Sequence, residues 1–276
     1  MPTSVKSMLE KSLKNTPFFG VAKWFFHTGR SIFHTLEKGY LSFVNFLLPS
    51  NYTILKVPNY AIQDYKDYKL DINTYEKAWP YAQRDVVRIF TIQLLFREIN
   101  KLPEGDYAEL GTYRGSFARL IYKYMPDSAK LYCFDTFGGF DEKDVASESV
   151  VSGDHVKAGF FSDTNVDNVV SYITSADKKG DKNLVIRKGF FPSTFQGLED
   201  KKWRFVLLDA DLYEPQKAGL EIFWDRMVKG GILMIHDYNA SYAGSKIATD
   251  EFFKDKGVNL IPLADNAGTV YIVKNK

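Results

Sequence analysis

Two apolar runs in this chain end abruptly in acidic or imidazole side chains. Phe205-Val206-Leu207-Leu208 runs into Asp209-Ala210-Asp211-Leu212-Tyr213-Glu214, and Ile232-Leu233-Met234-Ile235 runs into His236-Asp237-Tyr238. A buried parallel strand has this form, with its carboxyl end opening onto a site. Two adjacent strands of this kind aim Asp209, Asp211, His236 and Asp237 at one crevice. Packed carboxylates repel one another unless a cation or a proton lies among them. The two segments therefore predict a metal-assisted site at the carboxyl edge of a parallel sheet.

The chain around them supports such a sheet. From Pro80 the pattern is helical, with Val86, Val87, Ile89, Phe90, Leu94, Leu95 and Ile99 on one broad face, and Arg84, Arg88 and Arg97 as polar markers. Pro103-Glu104-Gly105 ends it. Strands are predicted at Tyr107–Leu110, Lys130–Phe134, Leu184–Ile186, Phe205–Leu208 and Ile232–Ile235. Helices are predicted at Ser116–Tyr124, Val166–Ile173, Pro215–Met227 and Lys246–Lys254, with Gly230-Gly231 stopping the third. The polar stretch from Asp135 to about Phe161 reads as one long loop, and its part from Asp141 to Phe160, which includes His155, is the expected acceptor-recognition element. Asn259–Pro262 and Thr269–Val273 read as strands with no helix between them, an antiparallel edge hairpin. The fold class is α/β: a mostly parallel sheet with helices on both faces.

At 276 residues, 45% hydrophobic and 25% charged, the chain can build one such domain plus an extension. A net charge of +2 is too small for a nucleic-acid binder, and none is expected. The single cysteine, Cys133, cannot form an internal disulfide and lies in an apolar run, so it reads as a core residue. No apolar run is long enough to span a bilayer, and Met1–Leu13 lacks the apolar centre of a secretory signal, so the expected location is cytoplasmic.

Residues 1–57 differ from the rest. Lys6, Lys11, Lys14, Lys23, Arg30 and Lys38 are opposed only by Glu10 and Glu37, with Phe18, Phe19, Trp24, Phe25, Phe26 and Phe33 between them. Such a helical arm can lie in a membrane interface through residues 1–48, giving a membrane-associated protein. It can equally pack on its own domain or on a second subunit in a homo-oligomer. The expected organisation is an arm over 1–57 and a catalytic domain over 58–276.

Glu109-Leu110-Gly111-Thr112-Tyr113-Arg114-Gly115-Ser116 follows the first strand and opens a helix. Its glycine spacing is not the one that cradles a pyrophosphate. Asp135 ends the second strand, where doubly wound nucleotide folds hold ribose hydroxyls. Together they suit a nucleoside without phosphates, and S-adenosylmethionine has that form.

These four elements, Glu109–Gly115, Asp135–Gly139, Leu208–Glu214 and His236–Tyr238, resemble in type and order those of macrocin-type sugar O-methyltransferases. The resemblance covers roughly Tyr81 to Val273, and Asp209-Ala210-Asp211-Leu212-Tyr213-Glu214 is its specific part. It implies a Rossmann-like class I methyltransferase that uses S-adenosylmethionine and a divalent metal, usually magnesium, on a saccharide acceptor. It implies Asp211 as general base, with Asp209, His236 and Asp237 as metal ligands. Glu109, Gly111, Thr112, Gly115 and Ser116 would line the methionine end, joined in the same turns by Arg114, Thr136 and Phe137. Asp135 would hold the ribose. Gly189-Phe190 would border the adenine, unless it is simply a packed turn. One residue departs from the pattern: the family usually has Asp where this chain has His236. Magnesium prefers oxygen ligands and imidazole suits manganese, iron or zinc, so His236 reads as a ligand to a different metal, a base, or an orienter of its neighbours. Competing readings are a catechol-like diol as acceptor, a nicotinamide-dependent oxidoreductase, and a binding protein without turnover.

Overall fold

The computed structural model describes residues 86–177, 180–240, 242–265 and 267–275. The expected arm over 1–57, with its membrane or subunit contacts, lies outside the described residues. Helix α1 (Val86–Ile99) leads into β1 (Asp106–Leu110), α2 (Ser116–Tyr124), β2 (Leu131–Asp135), α3 (Glu142–Val151), α4 (Val166–Thr174) and β3 (Leu184–Lys188). There follow β4 (Trp203–Leu208), α5 (Tyr213–Phe223), β5 (Met227–Ile235), α6 (Gly244–Phe253), β6 (Ile261–Pro262) and β7 (Val270–Val273). The strands form one sheet in the order β3-β2-β1-β4-β5-β7-β6. The first five are mutually parallel, and β7 runs antiparallel to both β5 and β6. This is the expected mostly parallel sheet with an antiparallel edge hairpin.

Strand residues alternate between two cores, as a two-residue period requires. Tyr107, Cys133, Phe205, Leu207 and Met234 pack with Ile92 and Phe96 of α1, Leu120 of α2 and Ile173 of α4. Ala108, Phe134, Val206, Leu208 and Leu233 pack with Leu220 and Phe223 of α5 and Phe253 of α6. Helices thus cover both faces, and Cys133 is fully buried. No helix among the described residues is long and apolar enough to cross a membrane.

Two expectations are corrected. The stretch from Asp135 to Phe161 is not one loop, because α3 lies inside it. Its helix shows no apolar periodicity; the local signal is Asp141, whose side chain accepts the Lys143 N–H at 2.8 Å as an N-cap. The predicted Pro215–Met227 helix instead begins at Tyr213 and ends at Phe223, and Gly230-Gly231 lies inside β5. Pairing explains this. Gly230 N–H donates to the Lys274 carbonyl and Lys274 N–H to the Gly231 carbonyl, at 2.7 and 2.8 Å, which keeps this stretch in the sheet. A Cβ on Gly231 would approach the Val228 and Arg204 carbonyls to 2.9 and 3.0 Å, so glycine suits the crowding there.

Candidate active site

The register brings the ends of four strands level. Leu110 is opposite Phe134 and Leu208, and Leu208 is opposite Ile235. Gly111, Asp135, Asp209 and His236 therefore follow at one height. Backbone bonds continue across this row: Gly111 N–H donates to the Phe134 carbonyl, Asp209 N–H to Leu110, and His236 N–H to Leu208, at 2.8–2.9 Å. Gly111 has a φ of +88°, and a Cβ there would lie 1.8 Å from the Asp209 carbonyl oxygen. Only glycine lets the β1 turn sit this close to the acidic strand end.

Asp209, His236 and Asp237 form one cluster. The His236 Nδ1 lies 2.5 Å from Asp209 Oδ1 and also contacts Asp237 Oδ2. Burial opposes a charge on this imidazole, yet the two carboxyl groups outweigh it and push His236 up to about 10. Asp211 is held well above the ordinary carboxylate range by burial and then by the Asp237 and Asp209 charges. Asp211 and Asp237 have φ values of +59° and +55°, a region that residues with a Cβ seldom occupy. Such conformations persist where surrounding structure over-determines them, and they concentrate at functional sites.

Beside this cluster lies the β1 and β2 side. Asp135 accepts the Tyr113 N–H at 2.7 Å on Oδ2 and the Phe137 N–H at 2.6 Å on Oδ1. Its carboxyl group joins the two turns. Burial holds Asp135 above its usual range despite these donors. Glu109 is fully buried, and burial followed by the Asp209 charge pushes it well up.

A cleft of about 340 Å³ joins both sides. Its wall includes Glu109, Gly111, Thr112, Arg114, Ser116, Asp135, Thr136, Gly189, Phe190, Asp209, Asp211, His236 and Asp237. Gly115 and Phe137 lie outside this wall. Gly115 starts α2 at φ +81° against Ile173 and Val169, and the Phe137 side chain is buried in the core. His155 is exposed and also outside it. The wall further contains Asp141 and Asp144, from the expected acceptor-recognition stretch, and Arg88, Phe117, Phe140, Phe161, Leu212 and Pro215, which no sequence motif marked for the site. The cap at Asp141 could have flagged α3. Nothing local marks Arg88, since its place depends on a buried ion pair with Asp265 at 2.8 Å.

The wall fits a polar ligand and a cation. Glu109 Oε2, Thr112 Oγ1 and His236 Nε2 are buried there without a hydrogen-bond partner among the described residues. One ligand atom each from Asp209, His236 and Asp237 falls within 4.8 Å of the others. Two carboxylates and an imidazole make a donor set for a divalent ion that accepts nitrogen.

The family model of the macrocin O-methyltransferases (TylF) matches residues 83–272. A curated relative from Streptomyces olivaceus, 8-demethyl-8-(2,3-dimethoxy-alpha-L-rhamnosyl)-tetracenomycin-C 4'-O-methyltransferase, is 26% identical over 152 residues. That alignment covers 49% of this chain and spans about half, 53%, of the relative's length. The structure of the O-methyltransferase NovP matches with a TM-score of 0.61 at 22% identity, covering 76% of this chain and 89% of that one. The calicheamicin methyltransferase CalS11 matches with a TM-score of 0.55 at 18% identity, covering 82% of this chain and 100% of that one. The two structural likenesses speak to the fold, a Rossmann-like class I methyltransferase sheet.

Proposed function

The chain belongs to the macrocin O-methyltransferase family, and from that premise we propose that it transfers a methyl group from S-adenosylmethionine to a hydroxyl of a saccharide, with a divalent metal at the acceptor. The observation that carries this reading is the continuous cleft. It joins the glycine turn and Asp135 to Asp209, Asp211, His236 and Asp237. The curated relative is named for methylation of a rhamnosyl group, which supports a sugar acceptor.

S-adenosylmethionine, when bound, supplies an electrophilic sulfonium methyl. A divalent ion held by Asp209, His236 and Asp237 supplies Lewis acidity and orientation to neighbouring acceptor hydroxyls. The protein's own groups do the rest. Asp211 takes the hydroxyl proton as the oxygen attacks in line. Asp135 holds the ribose hydroxyls. Gly111 keeps the backbone low enough for the methionine end to pass, and Glu109, Thr112, Arg114 and Ser116 line it. Phe190, half-exposed at the mouth, borders the adenine beside Gly189. With an imidazole in the set, manganese, iron and zinc suit the site alongside magnesium.

The test is methyl transfer from labelled S-adenosylmethionine to a panel of nucleotide sugars, glycosides and glycans, with each divalent metal in turn. Transfer to at least one saccharide is expected, and no transfer to any of them overturns the reading. Asp211→Asn is expected to lower turnover by about 10²–10⁴-fold, the usual worth of a general base. Near-normal turnover in that variant removes Asp211 from the role.

A further inference from the structure

Helix α3 has no apolar stripe, and its buried residue is an acid: Glu148 is fully buried. An acidic side chain is seldom buried unless its oxygens are satisfied. Glu148 Oε2 accepts the Tyr213 N–H at 2.8 Å, and Oε1 accepts the Gly244 N–H at 2.9 Å. These are the first residues of α5 and α6. Helix N-termini carry unpaired N–H groups and favour an acidic partner. The residues in the capping positions, Leu212 and Ala243, make no side-chain cap. One carboxyl group from a third helix caps both. Gly244 makes room for it, since a Cβ there would lie 1.9 Å from Glu148 Oε2.

The two capped ends matter because of what precedes them. Helix α5 starts two residues after Asp211, and the turn that opens α6 follows Asp237. Both aspartates hold positive φ, so something must fix their loops. Asp154 Oδ2 adds a bond to the Ala243 N–H at 2.8 Å, and Ser147 donates to Glu214 at 2.7 Å. The same helix brings Asp144 to the cleft wall.

We propose that Glu148 is a positioning residue for the methyl-transfer reaction. It holds the loops of Asp211 and Asp237 at a fixed separation and ties both to the α3 wall of the cleft. The proposal rests on the reading that these aspartates act in the reaction.

The experiment compares the full-length wild type with Glu148→Gln and Gly244→Ala. Gln keeps the shape but turns an amide toward one of the two N–H donors. Gly244→Ala pushes the carboxyl group away. Hydrogen exchange of the Tyr213 and Gly244 amides is measured without ligands, and kcat and KM with them. In both variants exchange at one or both amides is expected to quicken roughly ten- to hundredfold, as for a lost bond to a charged group. kcat is expected to fall about tenfold or more, with KM for S-adenosylmethionine held within about twofold. Unchanged exchange overturns the clamp. Faster exchange with kcat within about twofold of wild type overturns the positioning role. Should neither variant fold, Asp154→Ala loosens the same α6 turn from outside; a lower kcat at constant KM there supports the proposal, and an unchanged kcat overturns it. A wild type that methylates no saccharide sinks the functional reading instead, and the exchange data then decide the clamp alone.

Discussion

Gly111 joins the two halves of the cleft, and its role can be tested in isolation. It sits at φ +88° with the Asp209 carbonyl where a side chain would be. Alanine there carries a left-handed penalty of about 1–2 kcal/mol before any clash is counted. The clash is with backbone, which cannot swing aside. Gly111→Ala is therefore expected to lower stability by more than about 2 kcal/mol in urea unfolding and to weaken S-adenosylmethionine binding at least tenfold by calorimetry. A variant with wild-type affinity would show that the turn has slack. The residue was legible in the sequence as a strand-to-helix glycine. That it meets Asp209, from a strand nearly one hundred residues later in the chain, follows from sheet order alone.

Among the elements, α1 and the C-terminal hairpin are joined by one buried ion pair. Arg88 Nε lies 2.8 Å from Asp265 Oδ2, with side-chain exposures of 5% and 0%. Arg88 also lies over the Phe117 ring, 4.8 Å from its centroid, and Phe117 neighbours His236. Burial raises the Asp265 carboxyl, but the Arg88 charge and the Thr269 and Arg88 hydrogen bonds outweigh it, leaving the net shift downward from 3.8. The sign follows from linkage. A depressed folded value stabilises the protein above the unfolded value, and the gain is lost as pH falls through the folded one. Asp265→Asn removes one charge of a buried ion pair and is expected to cost about 3–5 kcal/mol at pH 7. The gap between the variant and wild type should narrow as pH drops below 3.8 and close below the depressed folded value, where wild type also carries a neutral group. Chemical denaturation at pH 7 and pH 3 checks this. A constant gap would mean that the Asp265 charge carries none of the stability. Helix α3 teaches a related point. Its amphipathic pattern is absent because it is held by a glutamate rather than by an apolar stripe, so periodicity could not reveal it.

At the largest scale, among the described residues, one sheet separates two cores. The lower-numbered helices α1, α2 and α4 cover one face, and α5 and α6 cover the other. The second core contains an aromatic group in which Phe223 meets Trp203 at 5.2 Å, Phe195 at 5.5 Å and Phe134 at 5.9 Å. Phe223→Ala is expected to cost about 3–5 kcal/mol in urea unfolding, the range for emptying a buried aromatic site. A loss under about 1 kcal/mol would mean that neighbouring rings collapse into the space. Phe134 and Trp203 lie on β2 and β4, the strands flanking β1, so the damage is expected to reach the sheet that carries the cleft.

The residue pattern carried the fold class, the strand ends and the acidic cluster, because these are local: a buried strand is apolar by necessity, and a site breaks that run where the strand stops. Asp209, Asp211, His236 and Asp237 were visible for that reason. Three-dimensional packing settled what depends on distant parts of the chain meeting. It made Arg88 a wall of the cleft, drew Phe137 and Gly115 away from it, kept Gly230-Gly231 within a strand, and set Glu148 across two helix ends. Each of these depends on a partner far along the chain, and a partner's position is a property of the assembled sheet, which no window of local sequence contains.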